Sequence, residues 1–228
     1  MRTVKRSDSR YLFEPIVTVS GGILGFELVK KSKNNEYSLE QTLRRNDELP
    51  GEKIKKFFDQ VTMASLNADV FINNGFLLSI RIDYEIACHI VNNTAMRNVL
   101  QQHSYIRLAI SEFFPEFSAG EARPVLHALS RDCPLWLDSF GEGNTSLALV
   151  MNEKFEQIKI SKQFFWQHQG TISFRKVIEH LSPYTHGVII GGIENARHIE
   201  YLKGSNIQAM QGKLWTSYNQ EELIRSFF

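Results

Sequence analysis

Apolar positions along the chain follow two periods in turn. The run YLFEPIVTV, residues 11–19, is rich in branched and aromatic side chains and predicts a strand. Ser20, Gly21 and Gly22 supply a tight turn, and ILGFELVKK, residues 23–31, predicts the hairpin partner. Over residues 52–70, Ile54, Phe57, Phe58, Val61 and Ser65 recur at helical spacing with lysines opposite, which predicts an amphipathic helix. From there strand-like and helix-like runs alternate: 76–82 then 84–101, 105–110 then 121–131, 134–140 then 145–152, 155–160 then 171–181, 187–192 then 195–204, and 207–212 then 219–227.

Strands that alternate with helices pair in parallel. Taking the second hairpin strand as the first member, their number approaches that which closes an α/β fold of the (β/α)8 TIM-like barrel type, with an N-terminal β-hairpin feeding the barrel. A doubly wound open sheet is the alternative, but no glycine fingerprint follows the first strand as a dinucleotide-binding sheet requires. No linker, repeat or low-complexity segment divides the chain, so the expected organisation is a tail of residues 1–10 and a single domain over residues 11–228.

A chain of 228 residues with 43% hydrophobic content can bury a full core. Its 26 lysines and arginines nearly balance 25 aspartates and glutamates, so no strong field marks nucleic acid or an anionic membrane as partner. The basic start MRTVKRSDSR lacks the apolar stretch of a secretory signal, and no run reaches the roughly 18 apolar residues of a spanning helix, so a cytoplasmic location is expected. Cys88 and Cys133 are then read as reduced structural thiols. The seven histidines never pair at the i, i+4 spacing of a helical metal site and are read as surface or capping residues.

In a barrel of this kind chemistry sits at the C-terminal ends of the strands. Those positions hold Glu27, Arg81, Ala109 to Glu112, Asp138 with Ser139, Lys159 with Ser161, Gly191 to Glu194, and Gln211. Glu27, Asp138 and Lys159 suit either an acid-base set or a polar cluster kept for stability, and the second reading is favoured because partners for the first are missing. GEG at 141–143 lacks the remaining residues of a phosphate loop and reads as a turn. Three aromatic clusters, FFPEF (113–117), QFFW (163–166) and SFF (226–228), are expected to plug barrel ends or pack helices rather than form an interface, with at least one of them exposed.

The same strand ends carry a resemblance. FEPIVTVSGGILGFELVKK resembles the opening of EAL domains, the phosphodiesterases that open cyclic di-GMP, and LSIRID, IRLAISE, LDSFGEGNTSL, IKISKQF, IIGGIEN and MQGKLW are similar to the family's later motifs in the same order. The likeness covers residues 11–228. It implies that family members hold divalent ions with oxygen ligands that polarise the phosphate and activate water.

Carried over residue by residue, Glu27 and Asp138 keep the ligand type, and Lys159, Glu194 and Gln211 remain. Arg81 stands at the family's asparagine, Ala109 at a glutamate, Ser139 and Ser161 at aspartates, and Gly191 at a glutamate. Lys31 replaces a phosphate-clamping arginine, offering a point charge without the fork, which weakens cyclic di-GMP binding. The resemblance therefore implies a domain with no catalytic residues, metal or cofactor. Glu27, Lys31, Arg81, Asp138, Lys159, Glu194 and Gln211 would line a remnant structural pocket, with Arg81 close to Glu27 or Asp138 in place of the metal's charge.

Degenerate enteric members of the family bind the FlhD subunit of the flagellar master regulator FlhDC. By that likeness the chain is expected to be a non-catalytic repressor of flagellar gene expression and motility, with FlhD as its protein partner through an unspecified surface, and with no direct nucleic-acid or membrane contact. A cyclic di-GMP sensor without hydrolysis and a weak residual phosphodiesterase are the alternatives.

Overall fold

Tyr11–Thr18 (β1) and Ile23–Lys30 (β2) form an antiparallel hairpin, with Gly21 at φ 89° in the turn, a conformation that favours glycine. The computed structural model describes residues 11–31, 50–117, 123–143 and 147–228, excluding the side chains of residues 50 and 147–149. The expected tail of residues 1–10 lies outside the described residues, as do residues 121–122 and 145–146 of two expected helices.

Six further strands follow: Leu77–Arg81 (β3), Ile106–Ser111 (β4), Leu135–Phe140 (β5), Gln157–Ile160 (β6), Gly187–Gly191 (β7) and Ala209–Gln211 (β8). They pair in sequence order as a closed barrel, parallel from β2 to β8. The seam differs from the expectation, because the hairpin does not merely feed the barrel. Its first strand is itself a member, running antiparallel to both β2 and β8 and closing the ring through Ile16 opposite Gln211, Val17 opposite Met210 and Thr18 opposite Ala209.

Helices wrap the barrel: Pro50–Leu66 (α1), Ala68–Asn74 (α2), Tyr84–Val91 (α3), Thr94–Gln102 (α4), Pro124–Asp132 (α5), Leu147–Asn152 (α6), Lys162–His168 (α7), Ile172–Leu181 (α8), Ala196–Leu202 (α9) and Gln220–Phe227 (α10). The single helices expected over 52–70 and 84–101 are each broken by asparagines. The buried Asn67 amide donates to Met63 O at 2.7 Å, and Asn92 donates to Cys88 O at 2.8 Å while Asn93 Oδ1 caps α4 through Met96 N at 3.0 Å. Such side chains compete with the helix for its own backbone groups. The helix α7 was not expected; it starts where Ser161 Oγ accepts from Phe164 N at 3.0 Å.

The main core lies between barrel and helices. Inside the barrel, Ile16, Ala109, Trp136, Ile189 and Ala209 form a separate apolar belt. That belt floors the C-terminal mouth, so polar groups above it are cut off from the opposite end. The barrel's N-terminal side holds its own polar contacts, with Trp136 Nε1 donating to Glu156 at 2.7 Å and Arg107 paired to the same carboxylate.

Of the aromatic clusters, Phe114, Phe165 and Phe227 pack inward as expected, whereas Phe113 (60% exposed), Trp166 (39%) and Phe228 (80%) face solvent. Both cysteines are free thiols. No helix among the described residues is long and apolar enough to cross a membrane.

Candidate functional site

Strand register determines which side chains meet above the belt. Glu14 lies opposite Glu27, Arg81 opposite Ala109, and Gly191 opposite Gln211. Because side chains of paired residues share a face, these positions point together into the mouth. Beyond Asp138 the β5–β6 register shifts between Leu137 and Phe140, and Ser139 takes a left-handed φ of 60°. A bulge with a non-glycine residue in that region is a costly local distortion of the kind found beside functional sites.

Four charged side chains form a closed ring. The Arg81 guanidinium pairs with Asp138 Oδ2 and lies 3.6 Å from Glu27 Oε1. Lys159 Nζ sits 2.6 Å from Glu27 Oε2 and 3.2 Å from Asp138 Oδ1. Each carboxylate thus meets both cations. Gln211 Nε2 adds hydrogen bonds to Glu27 Oε2 at 3.0 Å and to Glu14 Oε2 at 3.2 Å.

Burial sets the stakes, since Asp138 is 2% and Glu27 8% exposed. Burial alone would raise the Glu27 carboxyl, but Lys159 and then Arg81 outweigh it and hold it near pKa 2. Burial likewise works against both cations, yet Asp138 and Glu27 raise Arg81 and Lys159 further, so both stay charged. At Glu14 burial, followed by repulsion from Glu27, outweighs the pull of Lys159 and Arg81 and pushes the carboxyl up to about 7. Glu142, on the turn after β5, is raised by burial and by Asp138.

The other expected pocket residues lie elsewhere. Glu194 turns outward past Gly192 (φ 84°) and pairs with Lys162 at 2.8 Å, and Lys162 lies 4.1 Å from the Trp166 ring centre. Lys31 is exposed just beyond β2. Ser161 is occupied as the α7 cap, and Ala109 belongs to the apolar belt. A Cβ at Gly191 would stand 3.0 Å from Ile160 O, a tight approach to backbone, and 3.8 Å from Lys159 Cε, an ordinary contact. The turn at 141–143 is tied down by Gly143 N donating to Glu112 Oε2 at 2.6 Å. His198 departs from the surface reading: it is 9% exposed, with Nδ1 3.2 Å from both Glu194 N and Gly192 O.

The donor set does not fit a divalent ion. The only described carboxylates in the ring are already neutralised by a guanidinium and an ammonium, and a guanidinium stays protonated at any ordinary pH. Among the described residues no three histidine, cysteine, aspartate or glutamate side chains converge as a metal would require. Sequence reasoning missed Glu14, although a carboxylate inside the apolar run YLFEPIV is itself a signal.

The EAL domain family matches residues 1–217. The chain belongs to the EAL-domain family. Among curated relatives, this EAL domain is 23% identical over 173 residues to the anti-FlhC(2)FlhD(4) factor YdiV of Salmonella arizonae, spanning 74% of this chain and 73% of the relative. It is 22% identical over 211 residues to the cyclic di-GMP phosphodiesterase PdeH of Escherichia coli K12, spanning 89% and 80% respectively. Its fold superposes on the crystal structure of the EAL-like domain protein YdiV with a TM-score of 0.82, at 21% identity over 96% of each chain.

Proposed function

We propose that this EAL domain is a non-catalytic regulatory protein that binds the FlhD subunit of FlhDC in the cytoplasm and represses flagellar gene expression and motility, with residues 11–228 acting as one domain. The observation that carries the non-catalytic half is Arg81 between Asp138 and Glu27. Opening a phosphodiester at a metal needs carboxylates free to hold the ion that polarises the phosphate. Here those carboxylates are neutralised by side chains that cannot act as Lewis acids. The remaining polar cluster stabilises the barrel.

The partner half draws its support from the likeness to anti-FlhC(2)FlhD(4) factors. A formal net charge of +1 also suits a protein partner better than direct DNA binding, which draws its affinity from many phosphate contacts.

Co-expression with FlhD followed by size-exclusion chromatography tests the partner. Co-elution supports it, and separate elution at micromolar concentration rejects it. Incubation with cyclic di-GMP and manganese tests the chemistry: the nucleotide should remain intact, whereas linear product abolished by Glu27→Gln would reject the non-catalytic reading. Calorimetry with cyclic di-GMP should show no micromolar binding; such binding would favour a nucleotide sensor.

A further inference from the structure

The charge balance of the mouth leads one step further. Two carboxylates and two cations cancel within one closed ring. The Asp138 side chain is 3% exposed while that of Arg81 is 31% exposed, so the guanidinium covers the carboxylate on its solvent side. Its register neighbour is Ala109, whose side chain is a single methyl group. Without Arg81 the ring would carry one surplus negative charge in a poorly solvated place. With Arg81 present, an added divalent ion would leave two surplus positive charges. Both states are costly where water does not screen them.

We propose that the barrel mouth is a cation site that the chain fills with its own Arg81 guanidinium, which makes folding independent of divalent ions and leaves the site open to small cations only when that side chain is shortened. Guanidinium and divalent ions would then compete for one place between Asp138 and Glu27. The inference rests on mouth geometry and stands whichever partner the barrel binds, so failure to capture FlhD leaves it untouched.

Thermal unfolding of the full chain and of Arg81→Ala tests it. The variant should melt roughly 5–15 °C below the parent. Manganese or low millimolar methylguanidinium should recover part of that loss. Neither cation, nor a chelator, should move the parent, and adding Asp138→Asn to the variant should abolish recovery. A manganese-dependent rise in the parent, an Arg81→Ala variant as stable as the parent, or a variant that responds to neither cation would each overturn the proposal. Should Arg81→Ala not stay soluble, refolding from urea gives the same reading. Folded protein recovered only with manganese or methylguanidinium supports the proposal, and aggregation in every condition counts against it.

Discussion

Glu14 on β1 and Glu27 on β2 are direct cross-strand partners, and a single amide, Gln211 Nε2, donates to both. Two carboxyl groups so close do not ionise together at low cost. Glu27, next to Lys159 and Arg81, takes the charge, and Glu14 keeps its proton up to about pH 7.

A pH dependence with a defined sign follows. The unfolded chain releases the Glu14 proton near 4.5, while the folded chain holds it to about 7. The folded state therefore binds more protons in that window, and the stability due to Glu14 is present in acid and lost as pH rises from 4.5 to 7. Glu14→Gln, an uncharged isostere that still accepts from Gln211, should match the parent near pH 5. At pH 8 it should exceed the parent by on the order of 1–3 kcal/mol. Urea titrations at the two pH values check this, and a difference that does not change with pH would refute it.

The acid limb has the opposite sign. Glu27 is depressed to about 2, so its contribution is present above 4.5 and lost as pH falls from there toward 2. Removing that charge by Glu27→Gln should flatten the acid limb and cost roughly 3–5 kcal/mol at neutral pH, because Lys159 and Arg81 lose a buried partner. Melting curves from pH 3 to pH 7 read both effects.

Gly25 is required by close approach rather than by conformation. A Cβ there would stand 2.2 Å from Leu77 O, a backbone atom of the neighbouring strand. Gly25→Ala should destabilise the barrel by roughly 1–3 kcal/mol or more, while Gly51→Ala, whose Cβ meets nothing within 4 Å, should not. Denaturant midpoints of the two variants give the comparison.

The last two residues of the sequence should behave in opposite ways. The Phe227 ring centre lies 5.8 Å from Phe26, 5.2 Å from Phe76 and 5.5 Å from Tyr218, while Phe228 is 80% exposed. Phe227→Ala should cost roughly 2–3 kcal/mol, and Phe228→Ala about 0.5 kcal/mol or less. Equal losses would show that α10 is not anchored through that single ring.

Much of the barrel was legible because its strands are continuous branched and aromatic runs bounded by turn residues. The seam was not, since β1 pairs with β8 across a separation of 197 residues between Glu14 and Gln211, a contact that local periodicity does not encode. The breaks at Asn67 and at Asn92 and Asn93 escaped for another reason: they depend on side chains capturing nearby backbone groups, which leaves the apolar spacing intact. The helix α7 was hidden because Phe164, Phe165 and Trp166 are consecutive and blur an amphipathic pattern.

At the site, motif order pointed to Glu27, Arg81, Asp138, Lys159 and Gln211, which the strand ends bring together. Glu194 was grouped with them by the same reasoning, but the turn at Gly192 sends it to Lys162. A motif records sequence position, while the direction of a side chain after a left-handed turn depends on backbone geometry.

The antiparallel seam also has a kinetic meaning. The Glu14–Gln211 bond joins residues 197 positions apart, so on a ribosome the first strand must wait for all the strands between them before its second neighbour exists. Until then β1 has an unmatched edge, and the mouth lacks the amide that links its two glutamates. Barrel closure and completion of the polar mouth are therefore one event, and a nascent chain stalled before β8 would present an open sheet for chaperones to shield.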